Sequence, residues 1–298
     1  MADRPPCYRL AYLTANDGRD FSIDYLNFRN MARRHPGVEH VEITIAISRV
    51  RPVSRANLRQ IDALVRLAEA SPWLSVRTVI WKGNVGRDFS SAQACLQSMA
   101  EVAAPTDYVM LRNRSAYGPL CDDWYSAYVA QYEKHPDTGL VGSTISLVGP
   151  PWHVTTDDVR HVQTYVYLSE WRHLAPLIDE FPGCRCKDNP SAIVDGELGL
   201  NQRIMAAGLG ISCLHWPEHL FRAGSVDDPS LPRRDIKSEL SGLPFLYKFP
   251  TYRRSRGPFW RRLAWVSSLA LGGLVRPALW RAQPSQPGVR YLKLGDPD

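Results

Sequence analysis

From Tyr8 to Leu111 the chain alternates short β-prone runs with helix-period segments, and this alternation limits the fold more than any other feature. Tyr8–Thr14 is an apolar run closed by the polar turn Asn16-Asp17-Gly18 and reads as a first strand. Phe21–Arg34 spaces Ile23, Leu26 and Met31 for one face of a helix. Val41–Ser48 is β-branched and alternating. Asn57–Ala70 sets Leu58, Ile61, Leu64, Val65 and Leu67 at helical spacing. Val76–Trp81 is a third strand before the turn Gly83-Asn84-Val85-Gly86, Ser90–Val102 a helix, and Asp107–Leu111 a fourth strand. Strands joined through helices run parallel, so the expectation is a Rossmann-like α/β sheet covered on both faces.

Beyond residue 111 the pattern loosens. Leu140–Ile145, Val162–Leu168 and Gly210–Leu214 read as strands, and Glu170–Ile178 and Glu197–Ala207 as helices. No internal repeat or low-complexity tract is visible. Residues 1–250 are expected to form the domain, and 251–298 a basic, aromatic extension.

The 298 residues are 44% hydrophobic and 22% charged, which excludes disordered, collagen-like and disulfide-framework classes. The net charge of +6 is local. Eight Lys and Arg lie from Lys248 to Arg281 with no acid among them, leaving 28 bases against 30 acids elsewhere. A near-neutral body argues against a nucleic-acid partner. Cys184-Arg185-Cys186, the only close pair among six cysteines, is too tightly spaced for a zinc knuckle, so reduced thiols in the cytoplasm are expected. Leu263–Val275, between Arg262 and Arg276, is shorter than the ~20 residues of a spanning helix. With Trp260, Trp265 and Trp280 it reads as an interfacial helix. Residues 253–281 are therefore expected to meet an anionic membrane surface, peripherally, on the cytoplasmic face. The alternative is packing on the body or on a second subunit. The sequence does not set an oligomeric state.

Ligands of open α/β sheets sit beyond the carboxyl ends of the strands. Three such ends carry Thr14-Ala15-Asn16-Asp17, Asn84-Val85-Gly86-Arg87-Asp88 and Arg112-Asn113-Arg114-Ser115. They read as a cradle for a diphosphate or as solvated turns. There is no GxGxxG after the first strand and no P-loop motif. Further on, Glu197, Leu200, Ile204 and Ala207 share a helix face, which puts Glu197 in the first turn at the inward edge. It reads as a general base or as a charge complementing the helix dipole. His161 and Gln163 fall on one face of a strand and read as sugar or acceptor contacts or as strand-edge polar residues. Pro217 disfavours a helical His215/His219 metal pair, and Asp122-Asp123 reads as a helix cap.

The polar end of strand one, the Asn-x-Gly-Arg-Asp turn, the polar triplet after strand four and the Glu197-x-x-Leu200-x-x-Arg203-x-x-x-x-Gly208 run resemble GT-A glycosyltransferases, most of all family-2 and rhamnan-type polysaccharide enzymes, over residues 8–215. The resemblance implies a GT-A-like mixed sheet and inverting transfer of a sugar from a nucleotide-sugar donor to a glycan or lipid-linked acceptor. It puts Glu197 at the catalytic carboxylate and Gly196 at the glutamate before it. It implies donor contacts at Thr14, Ala15, Asp17, Asn84, Gly86, Arg87, Asp88, Arg112, Asn113, Arg114 and Ser115. It also implies sugar or acceptor contacts at His161, Gln163, Asp195 and His215. The family's Asp-x-Asp metal motif falls on Asn113-Arg114-Ser115, so no Mg²⁺ or Mn²⁺ cofactor is assigned and arginine is expected to neutralise the diphosphate. The same departure motivates a second expectation, a catalytically silent sugar-binding or tethering relative.

Overall fold

The computed structural model describes residues 4–17, 21–153, 155, 157–226, 228–234, 236, 242–248 and 288–294. The first half follows the alternation: β1 (Tyr8–Ala15), α1 (Ser22–Arg33), β2 (Val41–Ser48), α2 (Arg55–Glu69), β3 (Leu74–Lys82), α3 (Arg87–Met99) and β4 (Tyr108–Asn113). There follow β5 (Ala116–Tyr117), α4 (Ser126–Glu133), β6 (Thr138–Gly142), β7 (Ile145–Ser146), β8 (His161–Val162), β9 (Val166–Glu170) and α5 (Trp171–Leu174). The rest comprises α6 (Asn189–Ser191), a π-helical segment Ala192–Leu198, α7 (Gly199–Ala206), β10 (Gly210–Cys213), β11 (Leu220–Phe221), β12 (Leu246–Tyr247) and β13 (Arg290–Lys293).

Nine strands form one mixed sheet, ordered β11-β10-β6-β9-β4-β1-β2-β3-β13. β1 to β4 and β13 are parallel, and β9 inserts antiparallel between β4 and β6. The period of two in the strands divides the core. Leu10, Tyr12, Ile43 and Met110 face the cluster of Phe28, Leu64 and Trp124, while Ala11, Leu13, Ala46 and Val109 face Leu96, Leu200 and Ile204. This is the flanked α/β architecture expected from the alternation.

Several boundaries differ, each for a local reason. Ser54 caps α2 reciprocally with Asn57, so that helix starts before Asn57. The runs 140–145 and 162–168 are each broken. β7 pairs with β8 in a separate two-stranded sheet, and the Gln163 N–H donates to the Thr144 carbonyl at 3.0 Å in the same register. Pro176 falls in a 3₁₀ turn, Ala175–Leu177, that replaces the second half of the helix expected at 170–178. α4 begins at Ser126 without a side-chain cap, and the Asp122 carboxylate instead accepts from the His35 N–H. The helix expected from Glu197 begins at Asn189, because Asp188 accepts from the Ser191 N–H as its N-cap. Glu197 thus lies deep in the helical run, and the dipole role does not apply to it.

The sheet takes its ninth strand from residues 290–293, within the stretch the sequence sets apart as an extension. The membrane expectation for 253–281 lies outside the described residues. No described helix is long and apolar enough to cross a membrane.

Candidate functional site

A cleft of about 400 Å³ opens at the carboxyl ends of β1 and β4. Six of the sequence's candidates line it: Arg87, Asp88, Asn113, Ser115, Gln163 and Glu197. Four come from the strand-end turns, Gln163 from just after β8, and Glu197 from the π-helical segment.

Glu197 is held on two sides. Thr164 Oγ1 donates to its Oε1 at 3.1 Å, and Nε2 of the buried His161 lies 3.7 Å from its Oε2. His161 Nδ1 faces the Val159 carbonyl at 2.8 Å. A carbonyl only accepts, so Nδ1 carries hydrogen and Nε2 is the atom turned to the carboxylate. Asn201, fully buried, fixes this pairing. Its Oδ1 accepts from Val162 N–H at 2.9 Å and its Nδ2 donates to the Glu197 carbonyl at 2.7 Å. Gly196, where the resembled family has glutamate, leaves room for the Phe89 ring, since a Cβ there would lie 2.3 Å from it.

In the same cleft, Asn113 Nδ2 donates to Asp88 Oδ2 at 2.9 Å. Burial pushes the Asp88 carboxyl up, against that hydrogen bond and the charges of Arg114, Lys82 and Arg87. Arg87 is exposed and donates to Asn189 Oδ1 at 2.7 Å. Gly86, with φ +72°, starts α3 against the loop of Cys184 and Cys186 and donates to the Cys186 carbonyl at 3.1 Å.

The other arginines stand elsewhere. Arg112 was expected at the rim and is fully buried. Its guanidinium donates to the Ala116 and Gly118 carbonyls and stacks 4.6 Å from the Phe245 ring centroid. Burial lowers its pKa to about 10. Arg114 donates to Asp17 at 2.9 Å and to the buried Asp24 at 2.7 Å. Burial opposes its charge, yet these two carboxylates raise its pKa above the ordinary range. The residues at the expected metal motif do not suit Mg²⁺ or Mn²⁺: Asn113 and Ser115 are neutral, and the cation Arg114 between them already occupies Asp17 and Asp24. Among the described residues, no group of three or more His, Cys, Asp and Glu is placed to hold a metal ion.

Thr14 is buried and Ala15 half-buried at the end of β1, and Asn84 is exposed in its turn. None of the three lines the cleft. Asp195 lines a separate hollow with Cys184 and Arg203. His215 is half-buried beside Trp216, and burial lowers its pKa. The sequence reading missed Asn201, Thr164 and the aromatic wall of Tyr165, Tyr167 and Tyr247. The aromatic alternation in Tyr165-Val166-Tyr167 was a usable signal. Asn201 gave none, because its partners are set by tertiary packing.

The fold and site thus define an α/β protein with a polar, carboxylate-bearing cleft at the strand ends. No protein-family model matches the chain, and no curated protein matches it. Among solved structures, Staphylococcus aureus TarS is 12% identical with a TM-score of 0.42, covering 72% of this chain and 60% of that one. The WbbM bifunctional glycosyltransferase is 11% identical with a TM-score of 0.39, covering 72% of this chain and 39% of that one. Francisella tularensis 2-C-methyl-D-erythritol 4-phosphate cytidylyltransferase is 12% identical with a TM-score of 0.39, covering 70% and 89%. The chain thus spans less than two thirds of the TarS 1–349 chain and of the WbbM chain.

Proposed function

We propose that this chain transfers a sugar from a nucleotide-sugar donor to a hydroxyl of a glycan or lipid-linked acceptor. The observation that carries the reading is that Glu197, Asp88 and Arg87 line one cleft at the strand ends. Glu197 takes the acceptor's hydroxyl proton, and the freed oxygen pair forms a bond to the anomeric carbon. The bond from that carbon to the phosphate oxygen breaks, its electron pair leaving with the diphosphate. Attack from the opposite face inverts the centre. Arg87 and the amino end of α3 balance the growing charge on the leaving group. Asp88 is suited to accept from a ribose hydroxyl or a base N–H. Tyr165 and Tyr247, their centroids 5.4 Å apart, offer ring faces to a sugar. No step is routed through a metal. The reading includes a peripheral position on the cytoplasmic face of a membrane through residues 253–281.

A thermal-shift screen of UDP-, GDP- and dTDP-sugars identifies the donor, which raises the melting temperature by mass action. Nucleoside diphosphate release with that donor should fall about 100-fold or more in Glu197→Gln and persist in EDTA. Unchanged turnover in the variant removes Glu197 from the reaction. The ion pairs that immobilise Arg114 favour a second reading, a sugar-binding protein without turnover. Donor binding with no release by the wild type would select it.

A further inference from the structure

A hollow of about 610 Å³ opens on the same edge of the sheet as the cleft, on the side of β2, β3 and β13. Its walls are residues 49–53 after β2, Leu58 of α2, Trp81 at the end of β3 and Lys293 of β13. Arg49, Arg51 and Lys293 bring three cations to it, and among the described residues no acid lines it. Val50, Val53 and Leu58 each expose more than a third of their surface there, at 44%, 38% and 46%. Grouped apolar exposure of this kind marks contact surfaces rather than ordinary solvated surface.

The rim is built, not loose. Asn16 Oδ1 accepts from the N–H groups of Val50 at 2.7 Å and Arg51 at 3.0 Å, and its Nδ2 donates to the Arg51 carbonyl at 2.8 Å. Arg49 Nη2 donates to the Leu294 carbonyl at 3.1 Å, tying this loop to the end of β13.

The lining also says what does not bind. Among the described residues no carboxylate, carboxamide or hydroxyl side chain faces the hollow, so none of them accepts from ribose hydroxyls or reads the edge of a base. Cations beside aliphatic side chains match a phosphate head attached to hydrocarbon. We infer that this hollow binds the phosphate head group of an anionic membrane lipid, with Val50, Val53 and Leu58 against the acyl boundary. The named lining residues all lie outside 253–281 in the sequence, and lipid binding there does not depend on the proposed transfer reaction. Lipid seated there would face the sheet edge on which the cleft also opens.

The test is co-sedimentation of the full chain with phosphatidylcholine vesicles, with and without phosphatidylglycerol, and thermal melts of every variant. The wild type should bind only the phosphatidylglycerol vesicles. At about fivefold for each neutralised cation, Arg51→Gln with Lys293→Gln should weaken partitioning about 25-fold, and Val53→Asp should weaken it too, with melts unchanged. An Arg253→Ala, Arg254→Ala, Arg256→Ala variant controls for the other basic stretch. Loss in that control with none in the hollow variants would overturn the inference, as would wild-type binding that ignores phosphatidylglycerol. Glycerol 3-phosphate is the soluble probe. Saturable binding of it without vesicle binding would assign the hollow to a soluble phosphate ester and end the lipid assignment.

Discussion

Asp107 shows how one side chain can close a fold. Its fully buried carboxylate accepts from the N–H groups of Cys7 at 2.9 Å and Ala104 at 3.0 Å, from Arg9 Nε at 3.0 Å and from Arg4 Nη2 at 2.9 Å. It ties the start of β1 to the start of β4. Burial alone would raise its pKa, but these donors outweigh burial and hold it below the ordinary 3.8. A carboxyl with a depressed folded-state pKa adds stability above its unfolded value and loses it as pH falls through the folded value. Asp107→Asn should therefore cost about 3 kcal/mol at neutral pH, leaving Arg9 buried with less of its charge balanced. Urea melts across acidic pH should show wild type and variant converging below the ordinary carboxylate range. A constant gap would show that the charge contributes nothing. At this scale residue type was legible and partnership was not. Arg112 and Arg114 look alike beside Asn113 in the sequence. One is spent on local carbonyls in a buried aromatic site, and the other on Asp17 and Asp24, 97 and 90 positions away.

Elements were legible where a single period governs them. The first four strands are short apolar or β-branched runs, buried along most of their length, between helices of 3.6-fold pattern, and their placement follows. The run from Asn189 to Ala206 mixes a capped start, a π-helical middle and an α-helical end, so its amphipathic pattern revealed only the last part. The π segment has to bring Gly196 onto Phe89 and Glu197 beside His161, and sequence spacing does not encode that. The start of α3 is constrained by contact as well as by backbone angle. A Cβ on Gly86 would lie 1.8 Å from the Cys184 carbonyl oxygen, and its φ of +72° disfavours any L side chain. Gly86→Ala should cost at least about 2 kcal/mol and displace Arg87, whereas Val85→Ala, in the exposed part of the turn, should cost under about 0.5 kcal/mol. Chemical denaturation of the two variants decides it, and equal stabilities would show that the turn yields freely.

For the whole molecule, the sheet joins the chain's beginning to its end. β13 pairs in parallel with β3, matching Arg290 with Thr78 and Lys293 with Trp81. Its side chains secure it from both sides. Arg290 Nη1 lies 2.6 Å from Glu101 Oε2 beyond α3, and Tyr291 Oη donates to Asp62 of α2 at 3.1 Å. Without this strand β3 becomes the sheet edge, with the backbone groups from Thr78 to Trp81 unpaired on one side. A chain ending at residue 287 should lose about 2 kcal/mol, from a few net backbone hydrogen bonds of roughly 0.5–1 kcal/mol each. Hydrogen exchange locates the effect: amides of residues 78–82 should exchange faster, while those of β1 and β4, held between inner strands, keep their protection. The truncated chain should also lose the hollow's third cation, Lys293, and bind anionic vesicles more weakly. If exchange in β3 does not change, the last strand adds nothing to the sheet, and the hollow's rim has to be built from β2 and α2 alone.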